Sequence, residues 1–299
     1  NNPKGQGMLA STIIPQAHSG VHDPLDADIK IPFGSMLLRG LTSSESDDDL
    51  ETCYRASIVL SHILKGNIQC KERVMQVKLE APVISFGTPE PLLHRVVKYL
   101  AVAASMKDKN GNHKTSTSSS SMYTQPIFLR LLVTWFADFP DAVLSFLDSR
   151  DHLTYLLELV SSSFETVFIR GLSAILLGEG VLFNKSYAFM VVDAISQKIG
   201  LTSYFLKFDE MQKSFPFLSA KALQQRKPLA RSSAASMSEI EDLEENNLTS
   251  LKHDEDPVLM SVFDAPFVNL VRRLESEIRE SIVDVYSHPK SKVAVRGSS

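Results

Sequence analysis

The sequence predicts an all-α protein, an armadillo- or HEAT-like α-solenoid that forms the later part of a longer array. Apolar residues recur at helical spacing in nearly every segment from Phe33 onward, and sustained strand alternation is absent, with VKLEAPVIS as the only ambiguous stretch. Several of the helical segments are apolar on more than one side, for example IFLRLLVTWF and FIRGLSAILL. A short helix that is apolar nearly all round must be covered by neighbours on both sides, and stacked helical layers provide that cover.

Bulk composition sets limits on the function. Of 299 residues, 43% are hydrophobic and 22% are charged, and the formal net charge is −4. This balance allows a sizeable core and argues against a nucleic-acid binder, whose surface would be basic. The two cysteines, Cys53 and Cys70, indicate a reducing compartment, and we expect both to be core thiols. No apolar run approaches the length of a membrane span, so we interpret the chain as a cytosolic fragment of a longer protein.

The first part of the chain contains five predicted helices. The third begins with acidic residues, which the helix dipole favours there, and ends at Gly66; the fifth has Pro91 in its first turn. The five segments are LASTIIPQ, PFGSMLLRGL, DDDLETCYRASIVLSHILKG, NIQCKERVMQVKL and EPLLHRVVKYLAVAASM.

The second part of the chain contains seven predicted helices, and the last of them is long. The seven segments are TQPIFLRLLVTWFADF, DAVLSFLD, HLTYLLELVSS, ETVFIRGLSAILLGEG, KSYAFMVVDAISQKIG, LTSYFLKFDEMQKS and DAPFVNLVRRLESEIRESIVDVYSH. A serine-rich insert at about 105–124 and a mixed-charge insert at 219–256 interrupt the helices, and both are too polar to fold by themselves. We therefore predict one helical repeat region over 1–290, with two flexible inserts, and a disordered tail over 291–299.

Four helices can be aligned on an arginine that precedes an apolar stretch. The residues are Arg55, Arg95, Arg130 and Arg170, which follow one another at nearly equal intervals along the chain. Each interval is close to the period of armadillo and HEAT arrays, which is about 40 residues with two or three helices per repeat.

The stretch GLSAILLGEGVLFNKS (Gly171–Ser186) has a superficial likeness to a phosphate-binding loop. The Walker pattern requires glycine where this sequence has Glu179 and Asn184, and it follows a buried strand, whereas this stretch has a helical period. We interpret Gly178 and Gly180 as the end of one helix and the start of an elbow into the next.

No set of reactive groups with catalytic spacing is present. His18 and His22, with acidic neighbours, have a spacing that could in principle bind zinc, but a third ligand and a rigid frame are needed. His62 and His94 lie on apolar helices and are interpreted as hydrogen-bonded structural groups, and the acidic run Asp47–Asp49 as a helix start. Trp135 and Phe136 could form a binding hot spot, but their helical spacing favours core positions. We predict no enzyme activity, no cofactor and no metal.

Four apolar stretches resemble a known family. RASIVLSHILKGN (Arg55–Asn67), LLVTWFADFPDAVLSFL (Leu131–Leu147), FIRGLSAILLGEGVLFN (Phe168–Asn184) and FDAPFVNLVRRLESEI (Phe263–Ile278) are similar to the globular head of the Uso-type golgins, the general vesicular transport factor family. The resemblance covers residues 33–287, and its motifs are structural.

The resemblance implies a head of armadillo-like repeats, followed in the full-length protein by a dimeric coiled coil. It implies vesicle tethering in ER-to-Golgi and intra-Golgi traffic before SNARE-mediated fusion, with the protein peripheral on the cytosolic face of the Golgi membrane. The implied partners are a Rab-type GTPase, other golgins or tethering complexes, and the SNARE machinery. The alternative is a helical scaffold for nuclear transport or signalling; a karyopherin groove requires a ladder of tryptophans, and this chain has one Trp.

Basic residues in two regions are the candidate partner-binding residues. Arg272 and Arg273 lie on the final helix, and Lys221, Arg226 and Lys227 lie in the mixed-charge insert. Each could meet an acidic partner or a membrane, or could be part of a solvated face.

Overall fold

The computed structural model describes residues 2–13, 33–42, 50–79, 89–109, 118–219 and 257–288. In these ranges the chain is helical apart from turns and two strands of two residues each, so the all-α prediction is confirmed. The helices up to residue 136 are α1 (Pro3–Ser11), α2 (Phe33–Thr42), α3 (Leu50–Leu64), α4 (Ile68–Met75), α5 (Leu92–Lys109) and α6 (Ser118–Phe136). The helices after it are α7 (Pro140–Leu147), α8 (Arg150–Ser161), α9 (Val167–Leu182), α10 (Ala188–Lys198), α11 (Leu201–Gln212), α12 (215–219), α13 (Pro257–Val262) and α14 (Ala265–Ser287).

Helix ends follow from local capping chemistry. Asn67 caps α4, and its Oδ1 accepts a hydrogen bond from the backbone N of Cys70 at 3.1 Å. Asp264 caps α14 in the same way, and its Oδ1 accepts from the N of Phe267 at 2.8 Å. Gly66, just after α3, has a φ of 63°, a conformation that glycine adopts without strain. The predicted end of the third helix at Gly66 is therefore confirmed.

The ambiguous stretch VKLEAPVIS forms a short strand at its start. Strand β1 (Lys78–Leu79) pairs antiparallel with β2 (Glu90–Pro91). The prediction that Pro91 lies in the first turn of a helix is wrong, because pairing with Lys78 holds it in an extended conformation and α5 begins one residue later.

The helices stack in successive layers. Helix α6 packs against α3 and against α9, and α14 packs on α9 in turn. Helices α2, α5 and α8 pack beside α3, α6 and α9, so each layer pairs one inner helix with one flanking helix. This is the arrangement expected of a helical-repeat solenoid, in which each layer contacts its neighbours along the chain.

The alignment on four arginines is correct at three positions and wrong at one. Arg55, Arg130 and Arg170 lie on α3, α6 and α9, which occupy equivalent positions in the stack. Arg95 lies on α5, which packs beside α6 in the same layer. The segments that separate α4 from α5 and α5 from α6 lengthen that layer, so that the interval from Arg55 to Arg130 is nearly twice the interval from Arg130 to Arg170.

Helix α9 is buried along most of its length. All residues from Gly171 to Val181 are buried, and α9 contacts α6, α8, α11 and α14. The interpretation of Gly178 and Gly180 as a helix end is wrong, because both lie inside α9. A Cβ at Gly178 would lie 2.7 Å from Cδ1 and 2.9 Å from Cγ1 of Ile278 on α14, so glycine is required there for close helix packing.

The core contains the residues that the sequence assigned to it. Trp135 and Phe136 on α6 are fully buried, which confirms the core interpretation. Cys53 and Cys70 are free and buried, as expected for core thiols.

Both ends of the predicted serine-rich insert are helical. Helix α5 extends to Lys109 and α6 begins at Ser118, so the insert was predicted too long at each end. The predicted mixed-charge insert begins at residue 219, which still belongs to α12, and the rest of it (220–256) and the predicted tail (291–299) lie outside the described residues.

Candidate interaction surface

The histidines and acids singled out from the sequence do not gather into a reactive site. No group of three His, Cys, Asp or Glu side chains in the described ranges is arranged to hold a metal ion. His62 is exposed, and its backbone carbonyl oxygen accepts a hydrogen bond from Nε2 of Gln6; a hydrogen bond to its ring stays a prediction. The ring of His94 packs edge-on against that of His152 with centroids 5.2 Å apart, and its Nε2 is buried without a hydrogen bond. His18, His22 and Asp47–Asp49 lie outside the described residues.

Most of the stretch that resembled a phosphate-binding loop lies inside α9, and only its end, after Leu182, belongs to the turn into α10. The Oδ1 of Asn184 accepts hydrogen bonds from the backbone N of Ser186 at 3.1 Å and of Tyr187 at 3.3 Å. Backbone N–H groups of this turn are therefore already bonded within it, and the glycines of the stretch lie in α9 and not in the turn. In the described part of the chain, no helix is both long and apolar enough to cross a bilayer.

Arg273 forms an exposed ion-pair group that joins α14 to the end of α6. Its Nη2 lies 2.7 Å from Oδ2 of Asp138, its Nη1 lies 3.2 Å from Oδ1 of the same carboxylate, and Glu277 is 3.4 Å away. The side chain of Arg273 remains 42% exposed, so the guanidinium is accessible from solvent. Asp138 has a φ of 56°, which few residues other than glycine adopt, and this conformation ends α6.

Arg272 points to a different part of the molecule. It is half-buried, and its Nη2 lies 3.5 Å from the carbonyl oxygen of Phe217 on α12. Adjacent residues of a helix do not share a face, so the structure does not bring Arg272 and Arg273 together as one basic patch. Lys221, Arg226 and Lys227 lie outside the described residues. A partner-binding role for these five residues stays a prediction.

Two buried charged residues lie behind the Asp138–Arg273 pair. Lys71 on α4 is buried, and its Nζ donates a hydrogen bond to the carbonyl oxygen of Ala137 at the end of α6. Burial lowers the pKa of Lys71 to about 8, and the charge of Glu179 partly opposes this effect. Burial raises the pKa of the Glu179 carboxyl well above its ordinary value. These groups connect α4, α6, α9 and α14 at one point, and their burial indicates a structural role.

A groove lies between α10 and the last turns of α14, and no sequence pattern predicted it. It encloses about 370 Å³ and is open to solvent on its outer side. Two of its aromatic side chains are exposed, Phe189 by 45% and Tyr286 by 59%. The lining residues are Phe189, Val192, Asp193, Ser196, Val285 and Tyr286. The α10 residues follow helical spacing and thus share one face, but nothing local in the sequence connects them with the distant segment that ends α14.

Comparison with known proteins identifies the relatives of the chain. The sequence model of a family described as "Uso1 / p115 like vesicle tethering protein, head region" matches residues 1–282. Golgin candidate 6 of Arabidopsis thaliana is 56% identical over 300 residues, which cover 98% of this chain and 32% of the relative. General vesicular transport factor p115 of Rattus norvegicus is 25% identical over 303 residues, covering 99% of this chain and 26% of the relative. The human protein of the same name is 24% identical over the same shares. The chain therefore spans about a third or less of the length of these relatives.

Proposed function

Because this chain belongs to the family of Uso1/p115-like vesicle-tethering heads, we propose that it is the protein-interaction head of a vesicle-tethering factor. It acts in ER-to-Golgi and intra-Golgi traffic and docks vesicles before SNARE-mediated fusion. The observation that carries this proposal is the family match over residues 1–282, nearly the whole chain. The names of the relatives, a golgin and a general vesicular transport factor, agree with this role.

The architecture supports a binding role. Stacked helical layers provide long surfaces for other proteins, and they hold those surfaces rigid because each layer is packed against the next. The mechanism is geometric: the head binds proteins of one membrane, and the rest of the molecule connects it to the other. Holding two membranes together raises the effective concentration of the fusion machinery without any covalent step.

The proposed partners are a Rab-type GTPase, other golgins or tethering complexes, and the SNARE machinery. The full-length protein is proposed to be a homodimer that associates peripherally with the cytosolic face of the Golgi membrane. No enzyme activity is proposed, and the scaffold for nuclear transport or signalling receives no support from the family match.

A pull-down experiment tests the interaction role. The purified chain is immobilised and presented with a panel of Rab proteins locked in the GTP- or GDP-bound state, together with purified golgins and tethering-complex subunits. We expect at least one GTP-locked Rab protein or one tether subunit to bind. A panel that is negative throughout, with a sample shown to be folded by circular dichroism, would overturn the proposal.

Variants of the candidate residues refine the same test. Arg273→Glu reverses an exposed charge at the α6–α14 junction, and Arg150→Glu reverses an exposed charge at the start of α8 as the matched control. If Arg273 contacts the partner, only the first variant weakens binding. Equal effects of the two variants would remove Arg273 from the list of candidates.

Relocation in cells tests tethering directly. The full-length protein is fused to a mitochondrial outer-membrane anchor, with and without the segment described here. We expect transport vesicles to accumulate at mitochondria only when the head is present. Equal accumulation without the head would assign vesicle capture to the remainder of the protein and overturn the proposal for this segment.

A further inference from the structure

We propose that the groove between α10 and the end of α14 is a docking site for a basic amphipathic helix. An apolar side chain of that helix inserts between Phe189 and Tyr286, and a lysine or arginine pairs with Asp193. The proposal adds a binding site to the interaction role proposed above, and its biological meaning rests on that role. Its test uses defined peptides and needs no Rab protein or golgin, so the two proposals can fail separately.

The first argument is the unpartnered apolar surface. Along most of its length, α14 buries an apolar stripe against α9, including Leu274, Ile278 and Ile282. At its last turns Tyr286 is largely exposed, and Phe189 at the start of α10 is exposed beside it. Clustered exposed apolar side chains in a concavity mark interaction sites more often than single exposed residues do.

The second argument is the shape of the groove. Its walls come from two helices, its volume is about 370 Å³, and its outer side is open. A small molecule is usually buried over most of its surface, which an open groove does not provide. An amphipathic helix needs cover for one face only, and grooves between helices are a recurring way of binding one. The shape therefore favours a helix over a small molecule.

The third argument is charge. Asp193 is the only charged residue among those that line the groove. The charge inside the groove is thus negative, which favours a partner that places a lysine or arginine against Asp193.

The same charge argues against a second copy of this chain as the occupant. In a two-fold dimer the same surface patch faces itself, so the groove would bring two Asp193 carboxylates to one interface and no cation from the groove lining. Like charges brought together at an interface are unfavourable. A partner with lysine or arginine next to its apolar anchor fits the groove better.

The test is a titration with defined peptides. The probe is a fluorescein-labelled amphipathic helix of leucine and lysine, about five turns long, and its counterpart carries glutamate in place of every lysine. Anisotropy is measured against the whole chain at two salt concentrations. We expect the basic peptide to bind, more weakly at high salt, and the acidic peptide not to bind.

Variants of the groove assign the binding site. Truncating a buried aromatic anchor typically costs about 2 kcal/mol, so Phe189→Ser and Tyr286→Ser should each weaken binding by about thirtyfold. Asp193→Asn removes one exposed ion pair and should weaken binding by up to about fivefold, with a smaller salt dependence. The controls Leu144→Ser and Leu206→Ser remove comparably exposed apolar side chains outside the groove and should leave binding unchanged.

Each contrary outcome overturns the inference. Failure of the basic peptide to bind, equal binding of both peptides, or equal losses in groove and control variants would exclude a specific basic helix. Light scattering is run in parallel. If the chain dimerises and Phe189→Ser abolishes the dimer, the occupant is a second copy and the inference is wrong. Circular dichroism of every variant separates lost binding from lost folding.

Discussion

Replacing Gly178 with alanine tests whether the close approach of α9 and α14 fixes the last layer of the stack. The added Cβ would lie 2.7 Å from Cδ1 and 2.9 Å from Cγ1 of Ile278, and closer still to its Cγ2. Carbon atoms in good contact are about 3.5–4.0 Å apart, so the overlap approaches an ångström. Ile278 is fully buried, and because protein interiors are close-packed it can move away only by displacing its neighbours.

The magnitude follows from two opposing effects. Forcing an extra carbon into a packed core costs about 1–3 kcal/mol, whereas alanine is about 1 kcal/mol better than glycine inside a helix. Gly178→Ala should therefore reduce the free energy of unfolding by up to about 2 kcal/mol.

Gly180→Ala is the matched control in the same helix. Its Cβ would find the nearest atoms of Leu147 and Val191 at 3.5–3.8 Å, which is ordinary contact. Only the gain in helix propensity remains there, so this variant should be stabilised by up to about 1 kcal/mol. Since the propensity gain is common to both variants, their difference of about 1–3 kcal/mol measures the overlap with Ile278.

Urea denaturation followed by far-ultraviolet circular dichroism provides the measurement, with midpoints and slopes fitted for each variant. Adding Ile278→Ala removes the opposing side chain, so the cost of Gly178→Ala should be smaller in that background, a coupling that a double-mutant cycle detects. Equal shifts for Gly178→Ala and Gly180→Ala would refute the close-approach argument.

Three further predictions concern buried polar groups. The buried guanidinium of Arg130 pairs at 2.7 Å with the aspartate that caps α14 and donates to the backbone carbonyl oxygens of Ser261 and Val262. Arg130→Met leaves these acceptors without their donor and should cost about 1–3 kcal/mol, whereas Arg273→Met, in an exposed pair, should cost less than about 1 kcal/mol. Urea midpoints for both variants check this, and equal costs would contradict it. Because burial raises the pKa of Glu179 above 4.5, the folded protein holds a proton that the unfolded chain releases, so stability should fall as the pH rises from about 5 to 7. Glu179→Gln should flatten that decline, by at most about 1.4 kcal/mol per pH unit, and an unchanged slope would argue against the assignment. Burial raises the pKa of Cys53 to about 12 and that of Cys70 in the same direction, so Ellman's reagent at pH 8 should react with neither thiol until urea unfolds the chain.

The helices could be predicted from the sequence because their signals are local. Apolar periodicity located nearly all of them, and Gly66 correctly marked the end of α3. Pro91 was misplaced because its conformation depends on pairing with Lys78, which belongs to an earlier segment of the chain. Gly178 was misread because a glycine can serve either to end a helix or to let another helix approach, and the deciding contact is with Ile278, far along the chain on the last helix.

The candidate surface was harder to predict for the same reason. The sequence offered Arg273 only as a basic residue of the final helix, and its bidentate partner Asp138 lies on a distant turn. Phe189 and Tyr286 follow no motif, and only the packing of α10 against α14 brings them together. Apolar patterns establish that such helices pack, but the edges left uncovered depend on how the layers are joined.

The way α9 is buried restricts where this chain can bind a partner. Solenoids commonly use the surface of their stacked inner helices, but α9 is covered along its centre by α6, α8, α11 and α14. Exposed apolar residues remain on outer helices instead, such as Leu144 on α7 and Phe189 on α10. Helix α14 both covers α9 and forms one wall of the groove beside Phe189, so a ligand in that groove would contact the same helix that completes the core. Binding at this edge therefore adds contacts to the last layer of the stack, and a groove-binding peptide should raise the urea midpoint of the chain as its occupancy rises.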